Sequence, residues 1–236
     1  MSAPPTTVVS FVRHAHAPSV PDAERARGLS RRGPSLIHLS MCITSDSGRL
    51  SAMRCFLAVD LPDSLAAGVA AVQDRLSDAD GLRFTDPEGA HITVKFLGEV
   101  SPDRIAEVED AVESAVEDAG VGPFDASVGG LGAFPSLDYI RVVWLGVGDG
   151  TAELTRLHEA IERETTAIGF DPEDHDFTPH ATLARMDDAR GKDLVRRVVE
   201  GESPTVGSFR VREVRLKKSE LGPDGPEYET VTRFSL

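Results

Sequence analysis

Two short runs in this 236-residue chain carry residue types that could act on one reacting group together. The first reads His91-Ile92-Thr93-Val94-Lys95-Phe96-Leu97-Gly98 and the second Thr178-Pro179-His180-Ala181-Thr182-Leu183-Ala184-Arg185. Each holds His-x-Thr in an apolar, strand-like context. Side chains alternate across a strand, so His91 and Thr93 share one face while Ile92, Val94 and Phe96 turn to the core. The same alternation joins His180 to Thr182, backed by Ala181 and Leu183. An imidazole, with an ordinary pKa of about 6.5, can be neutral on one strand and protonated on the other at a single pH. One ring then takes a proton while its partner gives one. In-line displacement at phosphorus has this requirement: water deprotonated on one side, the leaving oxygen protonated on the other, and two hydroxyls to hold the non-bridging oxygens. The scheme calls for no metal and no cofactor. The plainer reading, two satisfied strand histidines with threonines suited to β structure, explains one copy better than two at matched positions. His38-Leu39-Ser40 sits in irregular sequence and is read as coincidence.

The elements that must hold these runs are readable from Met53 onward. Arg54 to Val59 is an apolar strand, and Leu61-Pro62-Asp63-Ser64 opens a helix with Leu65, Val69, Val72 and Leu76 on one face. A second helix has Ser101 as N-cap, Pro102 at its first position, Ile105, Val108, Val112 and Val116 inward, and Gly120 at its end. Gly132-Ala133-Phe134-Pro135 reads as a turn, Tyr139 to Val147 as a buried strand with Trp144 in the core, Thr151 to Ile168 and Lys192 to Glu200 as helices. Phe209 to Leu216 and Tyr228 to Phe234 are expected to form a hairpin around Gly222-Pro223-Asp224-Gly225. The order of elements repeats: a helix precedes each His-x-Thr strand and another follows it. The expected fold class is α+β and bilobal, two pseudo-symmetric lobes, each a mostly antiparallel sheet backed by helices, with a cleft between them.

Composition narrows the function classes. The chain carries 25 Lys and Arg against 39 Asp and Glu, a net charge of −14, which disfavours non-specific attachment to nucleic acid or anionic membrane. Only four basic residues are lysines, an acidic-surface composition that resembles proteins of salt-rich cytoplasm, where screening shortens to about 3 Å at 1 M salt. Two cysteines, Cys42 and Cys55, match no zinc, haem or disulfide spacing and point to a reducing, cytoplasmic compartment. No apolar run is long enough to span a bilayer. Residues 1–52 hold six Arg and three acidic residues, unlike the strongly acidic remainder, and show no sustained periodicity. They are read as an irregular N-terminal extension outside the native fold, and residues 53–236 as the functional domain. Asp171-Pro172-Glu173-Asp174-His175-Asp176 could in principle bind a divalent ion, but its spacing matches no known site and the reading is a solvated acidic loop. His158 is read as a boundary or surface residue.

With these motifs the chain resembles the two-histidine phosphoesterases, in the branch of RNA 2′,3′-cyclic phosphodiesterases also called 2′-5′ RNA ligases. The resemblance covers residues 53–236 and includes Arg54-Cys55-Phe56-Leu57-Ala58, Gly132-Ala133-Phe134-Pro135, Arg141 to Val147 and Ser219-Glu220-Leu221. It implies hydrolysis of RNA 2′,3′-cyclic phosphate ends to 2′-phosphomonoesters, with His91 as the acid that protonates O3′, His180 as the base that activates water, and Thr93 and Thr182 holding the phosphate. Lys95 shares the parity of His91 and adds positive charge; strict alternation turns Arg185 away from His180 unless a bulge intervenes. Phe56 is read either as a ring that stacks on a base or as a core phenylalanine. RNA ends are the expected partner, with no membrane, no stable protein partner and a monomeric state. End ligation by the reversed reaction and non-catalytic binding of RNA ends are the alternatives. Val8 to His16 and Glu24 to Gly33 resemble the opening of a histidine phosphatase with His14 as nucleophile, but the rest of that fold is missing. The segment is read as a remnant, a fused neighbour or an early start, with Met53 the preferred native beginning.

Overall fold

The computed structural model describes residues 52–222 and 225–236. The expectations for residues 1–51, including His14, His38 and Cys42, lie outside the described residues. Strand β1 (Met53–Asp60) leads through a 3-10 turn (Asp63–Leu65) into helix α1 (Ala66–Asp74), then β2 (Leu82–Phe84) and β3 (His91–Val100). A second 3-10 turn (Pro102–Arg104) opens α2 (Ile105–Ala119), followed by β4 (Phe124–Ser136) and β5 (Tyr139–Val147). Helix α3 (Thr151–Ala167), β6 (His180–Met186), α4 (Lys192–Gly201), β7 (Thr205–Val211), β8 (Glu213–Gly222) and β9 (Gly225–Ser235) complete the chain.

The sheet is antiparallel throughout and runs β7-β4-β5-β6-β3-β1-β8-β9, with β2 added alongside β6. Its two halves, β6-β5-β4-β7 and β3-β1-β8-β9, meet at a single pairing, Ile92 with Ala181. These are the two expected lobes, each with its motif strand innermost. The lobes are not the two halves of the sequence. Helix α1 packs on β6 and β7, and α4 on β4, whereas α2 and α3 pack on each other and on β9 and β3. Each helix that precedes a motif strand therefore backs the other motif strand.

Apolar spacing explains the helices. Val69 and Val72 of α1, Val108, Val112, Ala115 and Val116 of α2, and Leu154, Leu157 and Ile161 of α3 are buried along one stripe each. Gly120 ends α2 in the left-handed conformation at φ 58, as expected of a C-cap glycine. Ser101 has extended N-cap backbone, but its hydroxyl makes no capping hydrogen bond, because a 3-10 turn intervenes before α2.

Two local expectations are corrected. Phe209 to Leu216 is not one strand: it breaks at Arg212, β7 pairing with β4 in one lobe and β8 with β1 and β9 in the other. Val211 and Val214 are both buried, and a three-residue spacing cannot face one core from one continuous strand. Gly132 to Pro135 is no turn but part of β4, opposite β5. A Cβ on Gly132 would lie 2.1 Å from Cζ2 of Trp144, so glycine here admits the indole rather than bending the chain.

Candidate active site

The Ile92–Ala181 bridge decides where the histidines stand. In an antiparallel pair with that register, His91 flanks Thr182, His180 flanks Thr93, and the two histidines are diagonal neighbours on one face, at a spacing of about 7–8 Å for such pairs. His91, Thr93, His180 and Thr182 are all partly exposed there, while Ile92, Val94, Ala181 and Leu183 are buried behind them.

Both rings are fixed alike. His91 Nδ1 donates to the Gly89 carbonyl at 2.9 Å and His180 Nδ1 to the Thr178 carbonyl at 2.7 Å. A carbonyl only accepts, so each Nδ1 carries a proton and each Nε2 is left for chemistry. Burial pulls both imidazoles below the ordinary histidine pKa. Lys217 and His180 add to the depression at His91, against the Gly89 hydrogen bond and Asp60, which raise it. Arg185 adds to the depression at His180, against the Thr178 hydrogen bond.

Beyond the threonines, simple alternation fails in both strands at the same place. The β1 register passes from Ala58–Thr93 to Leu57–Lys95, leaving Val94 as an extra residue; the β5 register passes from Trp144–Thr182 to Val143–Ala184, leaving Leu183 extra. Each is a bulge three residues after the histidine, and each reverses side-chain parity. The expectation for Lys95 is thereby corrected: it is 0% exposed, pairs with Glu162 at 2.5 Å and donates to the Asp171 carbonyl at 2.8 Å, away from the histidine face. Its partners pull Glu162 below the usual carboxylate range, although burial opposes them most strongly. Phe96, expected in the core, is 60% exposed on the histidine face. Arg185, expected to turn away, is exposed on the face of His180.

Phe56 is 3% exposed, with its ring 5.1 Å from His91, 6.0 Å from Phe96 and 5.3 Å from Tyr228. It supports the imidazole and has no free face for a base, which corrects the stacking alternative. Sequence reasoning also missed the rings around His180: Phe134 stands edge-on at 4.9 Å, and Trp144, read as core, lies 5.9 Å away. Tyr228 is edge-on to His91 at 5.0 Å and sits beneath Lys217, whose ammonium is held by Asp60 at 2.7 Å. The acidic run from Asp171 to Asp176 is used locally: Glu173 N–H donates to Glu162, and Asp174 pairs with His175. Among the described residues, no group of three or more His, Cys, Asp or Glu side chains converges as a metal site would require. Among them, too, no helix is long and apolar enough to cross a membrane.

A signal for the β6 bulge was present, whereas in β3 alternation already placed Lys95 outward and Phe96 inward. Alternation put the charge of Arg185 on the buried face, and a strand avoids that conflict by inserting a residue.

The register thus sets two imidazoles, two hydroxyls and the Arg185 guanidinium on one face of the sheet. The 2′-5′ RNA ligase superfamily profile matches residues 61–223. The RNA 2′,3′-cyclic phosphodiesterase of Methanothermobacter thermautotrophicus is 40% identical over 186 residues, which cover 78% of this chain and 99% of that protein. That of Archaeoglobus fulgidus is 37% identical over 184 residues, 77% of this chain and 99% of the relative. Among solved structures, a Thermus thermophilus protein superposes with a TM-score of 0.64 at 28% identity, covering 78% of this chain and 98% of that one. LigT of E. coli, complexed with 3′-AMP, shares the fold with the same TM-score and coverage at 23% identity.

Proposed function

The chain belongs to the 2′-5′ RNA ligase superfamily, and from that premise we propose that it hydrolyses RNA 2′,3′-cyclic phosphate ends to 2′-phosphomonoesters. The observation that carries the reading is the Ile92–Ala181 bridge, which sets two equivalent His-x-Thr strands on one face. Water approaches phosphorus opposite O3′; His180 Nε2 takes its proton as the P–O bond forms. The P–O3′ bond breaks, and His91, entering the cycle doubly protonated, delivers its Nε2 proton to O3′. His91 ends neutral and His180 protonated, and solvent exchanges the protons back. Thr93 and Thr182 donate to the non-bridging oxygens, and Arg185 adds charge as the phosphorane forms. Each proton transfer contributes about 10²- to 10⁴-fold. The terminal base lies on the His91 side, where O3′ departs, against the exposed rings of Phe96 and Tyr228.

Residues 53–236 form the catalytic domain in this reading, acting as a monomer in RNA processing in the cytoplasm of a salt-adapted cell. The acidic surface supports the last point. The test is turnover of an oligonucleotide ending in a 2′,3′-cyclic phosphate, in EDTA and high salt. The full chain and the 53–236 fragment both open the ring, while His91→Ala and His180→Ala do not. Full activity in either alanine variant overturns the roles. Binding without turnover by the wild-type chain favours the end-binding alternative, and joined 2′-5′ products favour ligation.

A further inference from the structure

The two bulges present the same physical problem. An extra residue in a strand loses its place in the ladder, and its carbonyl, once buried, needs a donor from elsewhere. Helix backbone N–H groups are already engaged, so what the backing helix contributes must come from a side chain. Val94 O is met by Nδ1 of His158 at 2.8 Å, from α3. Leu183 O is met by Nε2 of Gln73 at 3.0 Å, from α1, beside Thr85 N–H at 2.9 Å and Thr85 Oγ1 at 3.0 Å; the same amide donates to Thr85 O at 2.8 Å and so ties both segments to the helix. Both side chains are buried, and both are polar residues on helix faces that are otherwise apolar apart from Thr165 of α3. His158, expected near the surface, is stacked on Phe177 with ring centroids 4.2 Å apart. The two contacts are related by the same pseudo-symmetry as the motifs, and each crosses over: the helix before one motif pins the strand of the other.

We propose that Gln73 and His158 are positioning residues, one for each half of the site, which hold the bulge carbonyls of Leu183 and Val94 and thereby keep Arg185 and Phe96 on the face of the histidines. This rests on the function proposed above. Without the helix side chain a bulge loses its tie to the backing helix, and a strand that straightens restores simple alternation. Arg185 then leaves His180 and Phe96 leaves His91. A displacement of about 1 Å at such a site can cost on the order of 100-fold in rate.

The experiment is a pair of double-mutant cycles on the full chain, read as kcat/KM for the cyclic-phosphate oligonucleotide. Gln73→Met and His158→Phe keep volume and remove the donor; His158→Asn keeps a donor near the position of Nδ1. Gln73→Met lowers kcat/KM about tenfold or more, and adding Arg185→Ala to it costs little further, whereas Phe96→Ala costs its full amount. His158→Phe couples in the opposite way, to Phe96 and not to Arg185, and His158→Asn restores most of the loss. Additive effects within each lobe, or equal losses in His158→Asn and His158→Phe, overturn the proposal. Where a variant is too unstable for kinetics, its crystal structure or that of the apolar Gln73→Leu decides, since retention of both bulges without the donor also overturns it. Absence of wild-type turnover defeats the function proposal, and the same variant structures then still judge the positioning claim.

Discussion

Ile92 and Ala181 pair across the middle of the sheet, the only residues through which β3 and β6 meet among those described. Because both lie between a histidine and a threonine, one pairing is enough to bring His91, Thr93, His180 and Thr182 to one face. A shift of one residue at this point would turn one His-x-Thr to the core, so the bridge sets the site's geometry more directly than any contact of the histidines themselves.

The pH profile follows from the histidine environments. In the proposed reaction His180 must be neutral and His91 protonated, so kcat/KM rises with pH through the His180 pKa and falls through that of His91. Burial holds both below the ordinary value, which puts the maximum on the acid side of about 6.5. Asp60 favours the charged form of His91 and Lys217 opposes it. Asp60→Asn therefore moves the descending limb to lower pH and Lys217→Met moves it higher. A maximum alkaline of that value in the wild-type protein contradicts the account.

The two cations near the motif ends separate cleanly by phenotype. Removing one partner of the Lys95–Glu162 pair leaves a buried charge unmatched, so Glu162→Gln lowers stability by about 3 kcal/mol, or about 6–12 °C in Tm. Arg185→Ala leaves the melting temperature within about 2 °C, as for other exposed positions, but lowers kcat/KM about tenfold or more. Differential scanning calorimetry and steady-state kinetics on the same preparations check both.

The phenylalanines divide in the same manner. Phe56→Ala empties space beneath His91 and costs about 3–5 kcal/mol in denaturant titrations. Phe96→Ala leaves stability nearly unchanged and raises KM for oligonucleotides, with little effect on hydrolysis of a small non-nucleotide cyclic phosphate. Equal losses on both substrates would show that the ring does not contact a base.

Trp144 is the sole tryptophan and stands 5.9 Å from His180, so its fluorescence reports on that half of the site. Emission in the ligand-free protein changes as His180 gains its proton, with a midpoint below about 6.5, and the transition is missing in His180→Ala. Gly132→Ala, whose Cβ would meet the indole at 2.1 Å, perturbs the spectrum and lowers turnover together.

What the sequence by itself determined was the set of chemical groups and the periodic elements that carry them. His91, Thr93, His180 and Thr182 were legible because strand alternation is local: two residues apart means one face, whatever the rest of the chain does. The helices were legible for the same reason, since Leu154, Leu157 and Ile161 specify a stripe without reference to any neighbour. Tertiary structure decided whatever depends on a partner strand. A bulge exists only relative to the strand opposite, so the exchange of Lys95 for Phe96, and the turning of Arg185 toward His180, arise from pairing with β1 and β5. The break at Arg212, the indole lying over Gly132, and the burial of Gln73 and His158 beneath strands 110 and 64 residues away have the same origin. Long-range register is a property of pairs of segments, and no single segment encodes it.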